Sequence, residues 1–343
     1  MRSSTVKIPR IIGIAFNLRR YNHVDCDDQE EFDEPQTITA LKREIERYGF
    51  KVLLYEQNES IAAKLRRDRP DFVLNIAEGI GKGRARESQV PAILESLKIP
   101  YSGSDPVALG LTLDKYWTSC LLSREGVPVA DIYCALSLKE LPGLKAIFYK
   151  GKSFIVKPRW EGSSKGIFLD SVVSDYKSLK KVADKIFRDY HQPVVVEEFL
   201  EKEEITVGVC GNADAKVIGM MQIVPKEKQN EPFLYSIEIK RDWQAKVQYL
   251  PRKAIDKELA AQVERSALLA YRALELRDIS RIDFRVGRDG VARVIDINPL
   301  PGLSPEYSDL PILYRLAGGD YSKLIEMILK TALKRYGFEF PRA

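Results

Sequence analysis

Four polar side chains near the carboxyl end of the chain, Arg281, Asp283, Asp296 and Asn298, are spaced as a metal and phosphate site requires. They lie in RIDFRVGRDGVARVIDINPLP, residues 281–301. Two apolar-rich runs, 281–286 and 291–297, flank Asp289-Gly290. That pair predicts a hairpin, because a tight primed turn needs positive φ at both central residues. A two-residue loop sets Arg288 opposite Val291. Counting outward then sets Asp283 opposite Asp296 and Arg281 opposite Asn298. Alternation puts these four on one face and Ile282, Phe284, Ile295 and Ile297 on the other. Directly opposed carboxylates on a sheet have Cβ atoms about 4.5–5.5 Å apart and repel. A divalent cation removes the conflict, since two carboxylates and an amide are ligands that Mg²⁺ or Mn²⁺ accepts, with phosphates and water completing the shell. Two solvated aspartates on an exposed face are the alternative; the solidly apolar opposite face argues for the metal.

A second constellation is FIVKP at 154–158 followed by EGSSKG at 161–166. Lys157 closes an apolar strand as a point charge for a phosphate. After Glu161, the small residues Gly162, Ser163, Ser164 and Gly166 let backbone N–H groups and hydroxyls approach phosphate oxygens. An ordinary Gly/Ser hairpin turn is the competing reading. A third stretch runs from buried Val194-Val195-Val196 into Glu197-Glu198-Phe199-Leu200. Backbone groups and apolar side chains there suit a purine, and Glu204 could take ribose hydroxyls. Acidic strand ends are also common on plain surfaces.

The elements that must position these residues begin with a β-α-β-α-β order over residues 10–76, which implies a parallel sheet covered by helices. Pro35 opens a helix closed near Gly49. The acidic stretch at 17–34 is a loop facing either solvent or substrate. The glycine-rich AEGIGKGRARESQ that follows the third strand lacks P-loop spacing. A helix at 114–125 carries Lys115 in its first turn. Strands are expected at 147–149, 154–158, 166–169, 194–199, 205–209 and 217–222, a polar segment at 224–243, and helices at 87–97, 174–190, 257–274 and 321–336. Three parts follow: 1–110, 111–200 and 201–343.

Composition narrows the chemistry. The chain has 343 residues, 54 basic against 49 acidic, and a net charge of +5 without a basic tail, which does not suggest nucleic-acid binding. No apolar run approaches the roughly 20 residues of a membrane span, and the first residues lack a signal-peptide core. Four scattered cysteines without a C-x-x-C pair fit a reducing cytoplasm and no zinc site. With two histidines, His23 and His191, Ser-His or Cys-His catalysis is not expected. The chemistry rests on Lys, Arg, carboxylates and metal.

The segments DFVLNIAEG, ESQVPAILESLKIPYSGS, LDKYWTSCLL, FIVKPRWEGSSKGI, VVVEEFLEKEEITVGVCGN and RIDFRVGRDGVARVIDINPLPGLSP, in this order, resemble the D-alanine–D-alanine ligase family of the ATP-grasp superfamily. The resemblance implies an α/β and α+β protein with a three-domain ATP-grasp fold and an N-terminal parallel α/β domain. It implies Mg-ATP-dependent joining of a carboxylate to an amine through an acyl phosphate, small amino-acid substrates, a cytoplasmic homodimer and a place in peptidoglycan precursor synthesis. Residue by residue, Lys115 and Lys157 match the phosphate lysines, and Ser163 and Ser164 the serine loop. Glu197, Phe199 and Leu200 match the adenine hinge, with Glu198 between them, and Glu204 the ribose carboxylate. Lys240 resembles the γ-phosphate lysine of the mobile loop, and Arg281 the arginine that steadies the tetrahedral intermediate. Asp283, Asp296 and Asn298 match the metal ligands, with Asp296 where the family more often has Glu. Gly302 matches the glycine whose N–H holds the reacting carboxylate.

Three departures fall on the amino-acid pockets. FNLRRYNHVDCDDQEEFDEPQTI replaces the family's E-x-E-V-S region, leaving Glu31 or Asp33 to grip a substrate ammonium. Arg241 replaces the aromatic after the loop lysine, and SPEYSDLP replaces the serine/histidine stretch after Gly302. D-alanine–D-alanine ligation is therefore expected first, and a related ligase with another substrate pair second, the two differing at Glu31, Asp33, Arg86, Glu87 and Arg241. A nucleotide-binding regulator without turnover is the third reading.

Overall fold

The computed structural model describes residues 8–20, 27, 29–227 and 233–341. Parts of the acidic loop (21–26 and 28, with His23 and Cys26) and of the polar segment (228–232) lie outside them.

The amino-terminal unit follows the expected order. Strands β1 (Ile11–Phe16), β2 (Lys51–Glu56) and β3 (Phe72–Asn75) pair in parallel as β2-β1-β3. They alternate with α1 (Pro35–Glu46) and α2 (Ile61–Asp68) and lead to α3 (Gln89–Leu97). Pro35 starts α1 where its missing N–H costs nothing, and Gly49, at φ +81°, takes the chain out of it. Helix α4 (Pro106–Leu113) runs through the first junction expected from sequence, and α5 (Lys115–Arg124) follows after one residue.

Two antiparallel sheets make up the rest. The smaller has the order β4-β7-β5-β6, from β4 (Ile132–Ala135), β5 (Phe154–Pro158), β6 (Val172–Val173) and β7 (Val194–Glu198), with α6 (Tyr176–Tyr190) packed on it. The larger contains β8 (Glu204–Gly211), β9 (Lys216–Pro225), β10 (Val247–Pro251), β11 (Asp278–Val286) and β12 (Ala292–Asn298), in the order β10-β9-β8-β11-β12. Short helices α7 (Ile237–Arg241) and α8 (Trp243–Lys246) precede β10, and α9 (Lys257–Ala273) covers one face of this sheet. Helices α10 (Asp309–Leu316) and α11 (Tyr321–Arg335) join its other face to β1 and α1 in one apolar core that includes Ile14, Leu41, Leu310 and Leu329.

Several expectations are corrected. Residues 147–149 lie in a 3₁₀ segment, Leu141–Lys150, and 166–169 form no strand; Gly166 turns the chain at φ +72° instead. Apolar content alone had suggested strands at both places. β4, β10 and α10 had no strong periodic signal. The hairpin reaches the expected pairs, Asp283 with Asp296 and Arg281 with Asn298, by a different route. Its loop holds three residues, since Gly287 donates to Val291 O at 3.0 Å. A bulge between Asp283 and Phe284 absorbs the offset. Phe284 therefore faces Val294, and Ile295 leaves the core to line the cavity described next.

Candidate active site

Lys115 is set by its neighbour. Asp114 caps α5 by accepting the Trp117 N–H at 3.1 Å, and its carboxylate takes Arg159 Nε at 2.7 Å and Nη2 at 2.8 Å. From the first turn of α5, Lys115 Nζ reaches Asp296 Oδ1 at 2.9 Å. Lys157 projects from β5 and pairs with Glu197 on β7 at 3.0 Å. Between β5 and the next segment, Ser163, Ser164 and Gly166 all have positive φ (50°, 60° and 72°). Two serines in left-handed conformation hold strain that the surroundings must fix, and Ser164 Oγ donates to Tyr235 O at 3.3 Å.

These residues converge on one cavity of about 100 Å³, lined by Lys115, Lys157, Glu161, Ser163, Ser164, Glu204, Lys240, Arg281, Asp283 and Asp296, together with Arg285 and Asp309. Its charges answer one another. Arg281 binds Asp283 through Nη2 at 2.9 Å and approaches Asp309 at 3.5 Å. Burial pushes Asp283 above the usual carboxylate range, against the pull of Arg281 and with the help of Asp296. Burial acts the same way on Asp296, but Lys115 and Lys157 outweigh it and hold Asp296 low. Lys240 is pushed down by burial and by Arg281. Glu204 is pushed up to about 7 by burial, with Arg285 opposing.

The remaining expected residues are placed elsewhere. Glu198, Phe199 and Leu200 line a neighbouring cavity of about 250 Å³ with Lys152. Arg285 stands between the two: its guanidinium lies 4.5 Å over the Phe199 ring and donates to Phe233 O. Backbone N–H groups of Glu198 and Phe199 are already given to Asp131 O and Ser153 O. Asn298 accepts the Leu300 N–H at 3.1 Å, and neither it nor Gly302 lines the main cavity. Glu161 does line it, yet its carboxylate is held by Lys165, Arg86 and Gln192. Glu31, expected at a substrate ammonium, is spent on Arg86 (3.0 Å), Lys165 (2.7 Å) and the Gly162 N–H (2.8 Å). Asp33 is half-buried and pushed up to about 7 by desolvation, with Arg19 opposing.

Comparison with known proteins then decides the family. A family model described as D-ala D-ala ligase C-terminus matches residues 122–330. The chain belongs to the D-alanine–D-alanine ligase family. A D-alanine–D-alanine ligase of Carboxydothermus hydrogenoformans is 29% identical, over 87% of this chain and 93% of its own length. An uncharacterised protein of Sinorhizobium fredii is 32% identical, over 96% and 98%. The D-alanine–D-alanine ligase of Bacillus anthracis complexed with ATP superposes with a TM-score of 0.71 at 25% identity, covering 95% of this chain and 98% of that one. The VanG D-Ala:D-Ser ligase of Enterococcus faecalis has the same fold, with a TM-score of 0.72 at 19% identity. The three-domain ATP-grasp architecture and ATP-dependent ligase activity of the D-alanine–D-alanine ligase type follow.

The opposed acids fit the divalent cation this family implies. Asp283 and Asp296 are hard oxygen donors whose mutual repulsion a cation would relieve, and Lys115 and Arg281 now supply the compensating charge. Among the described residues no third His, Cys, Asp or Glu joins them, so phosphate and water oxygens would complete the shell. No helix among the described residues is long and apolar enough to cross a membrane.

Sequence reasoning missed Arg285, Asp309 and the Glu31–Arg86–Lys165–Glu161 cluster. Arg285 sits two residues beyond Asp283, and strand alternation alone would have placed it on the same face. The cluster joins residues far apart in the chain and left no local signal.

Proposed function

We propose that this chain joins the carboxylate of one amino acid to the amine of another in an Mg-ATP-dependent reaction through an acyl phosphate, with D-alanine as the first substrate to test. The observation that carries this reading is the convergence of Lys115, Lys157, Lys240 and Arg281 on the opposed Asp283 and Asp296 in one cavity. Phosphoryl transfer asks for alignment and charge neutralisation more than covalent help. Lys115 and Lys157 would hold the nucleotide phosphates, with Ser163 and Ser164 over them. Lys240 would sit at the transferred group. Arg281 would stabilise the oxyanion formed when the amine attacks. Asp283, Asp296 and Asn298 would hold a Mg²⁺ or Mn²⁺ ion, which would neutralise charge on the phosphates.

A second reading, ligation of a different substrate pair, is favoured by Arg241 and Asp309, which lie where the family pattern is broken. Membership of a family acting on D-alanine also supports a cytoplasmic role in peptidoglycan precursor synthesis, as a homodimer that light scattering would detect. Phosphate release from Mg-ATP, screened over D-alanine and other amino acids, tests both readings. Release with D-alanine alone supports the first; release only with another pair replaces it with the second. Absence of release with every pair refutes both.

A further inference from the structure

A second cavity of about 440 Å³ adjoins the first and shares Tyr235, Lys240 and Asp309 with it. Its volume lies within the roughly 300–1,000 Å³ of small-molecule sites. Among the described residues, Asp309 is the one carboxylate that lines both. It is 8% exposed and stands at the first position of α10. An acid at a helix start is often no more than a favourable charge for the helix dipole. Asp309 is tied to more than its helix: Arg281 Nη1 lies 3.5 Å from its Oδ2. Arg281 thus divides one positive charge between two carboxylates, half-buried Asp283 and buried Asp309. Lys240 is nearby, but the transferred phosphate claims its charge once nucleotide is bound. A cation arriving from the outer cavity would complete the balance, and a buried charge is costly until it is paired. Asp309 also lies in SPEYSDLP, where the family pattern after Gly302 is broken.

We infer that Asp309 receives the amine substrate, binding its ammonium and taking one proton from it at the mouth of the phosphate cavity. The inference rests on the ligase reading above. The ammonium transfers one proton to Asp309. The freed lone pair forms the C–N bond at the acyl carbon. The C–O bond to phosphate breaks, and phosphate leaves with that electron pair. It takes the second amine proton as the tetrahedral adduct collapses, and Asp309 returns its own proton to water. Arg281, between Asp283 and Asp309, stays in reach of the adduct's oxyanion throughout. The outer cavity, walled by Tyr235, Trp243 and Tyr307, therefore holds the amine partner.

Hydroxylamine separates this role from acyl phosphate formation, because it is an uncharged nucleophile at neutral pH and needs neither ammonium binding nor a base. The test compares wild type, Asp309→Asn and Asp309→Glu, using the amino acid that gives phosphate release in the wild type. Asp309→Asn should lower amide formation by about 10²-fold or more, the usual scale of a lost general base. Its amino-acid-dependent hydroxamate formation should change little. Asp309→Glu should recover part of the amide formation. Equal loss of hydroxamate and amide in Asp309→Asn, or undiminished amide formation, would overturn the assignment. A wild-type protein that forms no hydroxamate with any amino acid would instead overturn the ligase reading, whatever the variants do.

Discussion

Glu31 Oε1 accepts the backbone N–H of Gly162 at 2.8 Å, joining the amino-terminal loop to the serine loop across 131 residues of sequence. A Cβ at Gly162 would meet that oxygen at 2.5 Å, so glycine is needed because Glu31 is there. Arg86 and Lys165 hold the other side of Glu31. Burial pushes the Glu31 carboxyl up, but the two cations outweigh it and keep it low and ionised.

Gly162→Ala must push Glu31 or the loop aside. Displacement of a positioning loop by about 1 Å can cost on the order of 10²-fold in rate. We expect kcat/KM for ATP to fall by about that factor while the melting temperature changes little. Steady-state kinetics beside a thermal melt decides it; unchanged kinetics would mean that this contact does not position the loop.

The register at Asp283 and Asp296 was legible from Asp289-Gly290 and the apolar runs around it, although a three-residue loop and a bulge cancelled one another on the way. Alternation survived at the acids and failed at Ile295, the unpaired residue of the bulge. The amino-terminal parallel unit was legible because its strands and helices are bounded by Pro35, Gly49 and strong apolar runs. Segment 147–149 was not, because an apolar triplet fits a 3₁₀ turn as well as a strand. Glu31 was read as a substrate group because its partners, Arg86 and Lys165, come from distant segments. Asp309 was hidden because a charged residue at a helix start has an ordinary local explanation.

Asp283→Ala removes one of the two opposed acids and leaves Arg281 with Asp309 alone. We expect Mg-dependent turnover to be lost and the fold to be kept, since β11 retains its buried apolar residues Ile282 and Phe284. Phosphate release titrated with Mg²⁺, together with far-UV circular dichroism, checks this. Wild-type kinetics in the variant would remove the metal assignment.

Arg285 is buried, its Nε has no hydrogen-bond partner among the described residues, and its guanidinium covers Phe199 beside the cavity that Glu198 and Leu200 line. Arg285→Met should weaken ATP about tenfold, the scale of a lost cation–π contact with a hydrogen bond. Inorganic tripolyphosphate, which has no base, should inhibit both proteins equally. Equal weakening of tripolyphosphate would show that Arg285 acts on the phosphates or on the Phe233 segment instead.

Glu87 is raised to about 8 by burial, with Arg86 opposing and Glu31 adding to the shift. A carboxyl whose folded pKa lies above its unfolded value binds more protons in the folded state, so stability falls as pH rises from about 4.5 towards 8. Glu87→Gln removes this titration. The ligand-free variant should therefore lose less melting temperature than wild type between the acidic and alkaline ends of that window. Parallel scans that show the same loss in both proteins would contradict the account.

The most direct test of an acyl phosphate formed in the Lys115–Lys157–Lys240 cavity follows oxygen rather than rate. D-alanine, or whichever amino acid the screen selects, is supplied with a heavy-oxygen-labelled carboxylate, and the released phosphate is analysed by mass spectrometry. Each phosphate should carry one labelled oxygen and be released in equal amount with the amide product. Unlabelled phosphate, formed by attack of water on ATP, would contradict it.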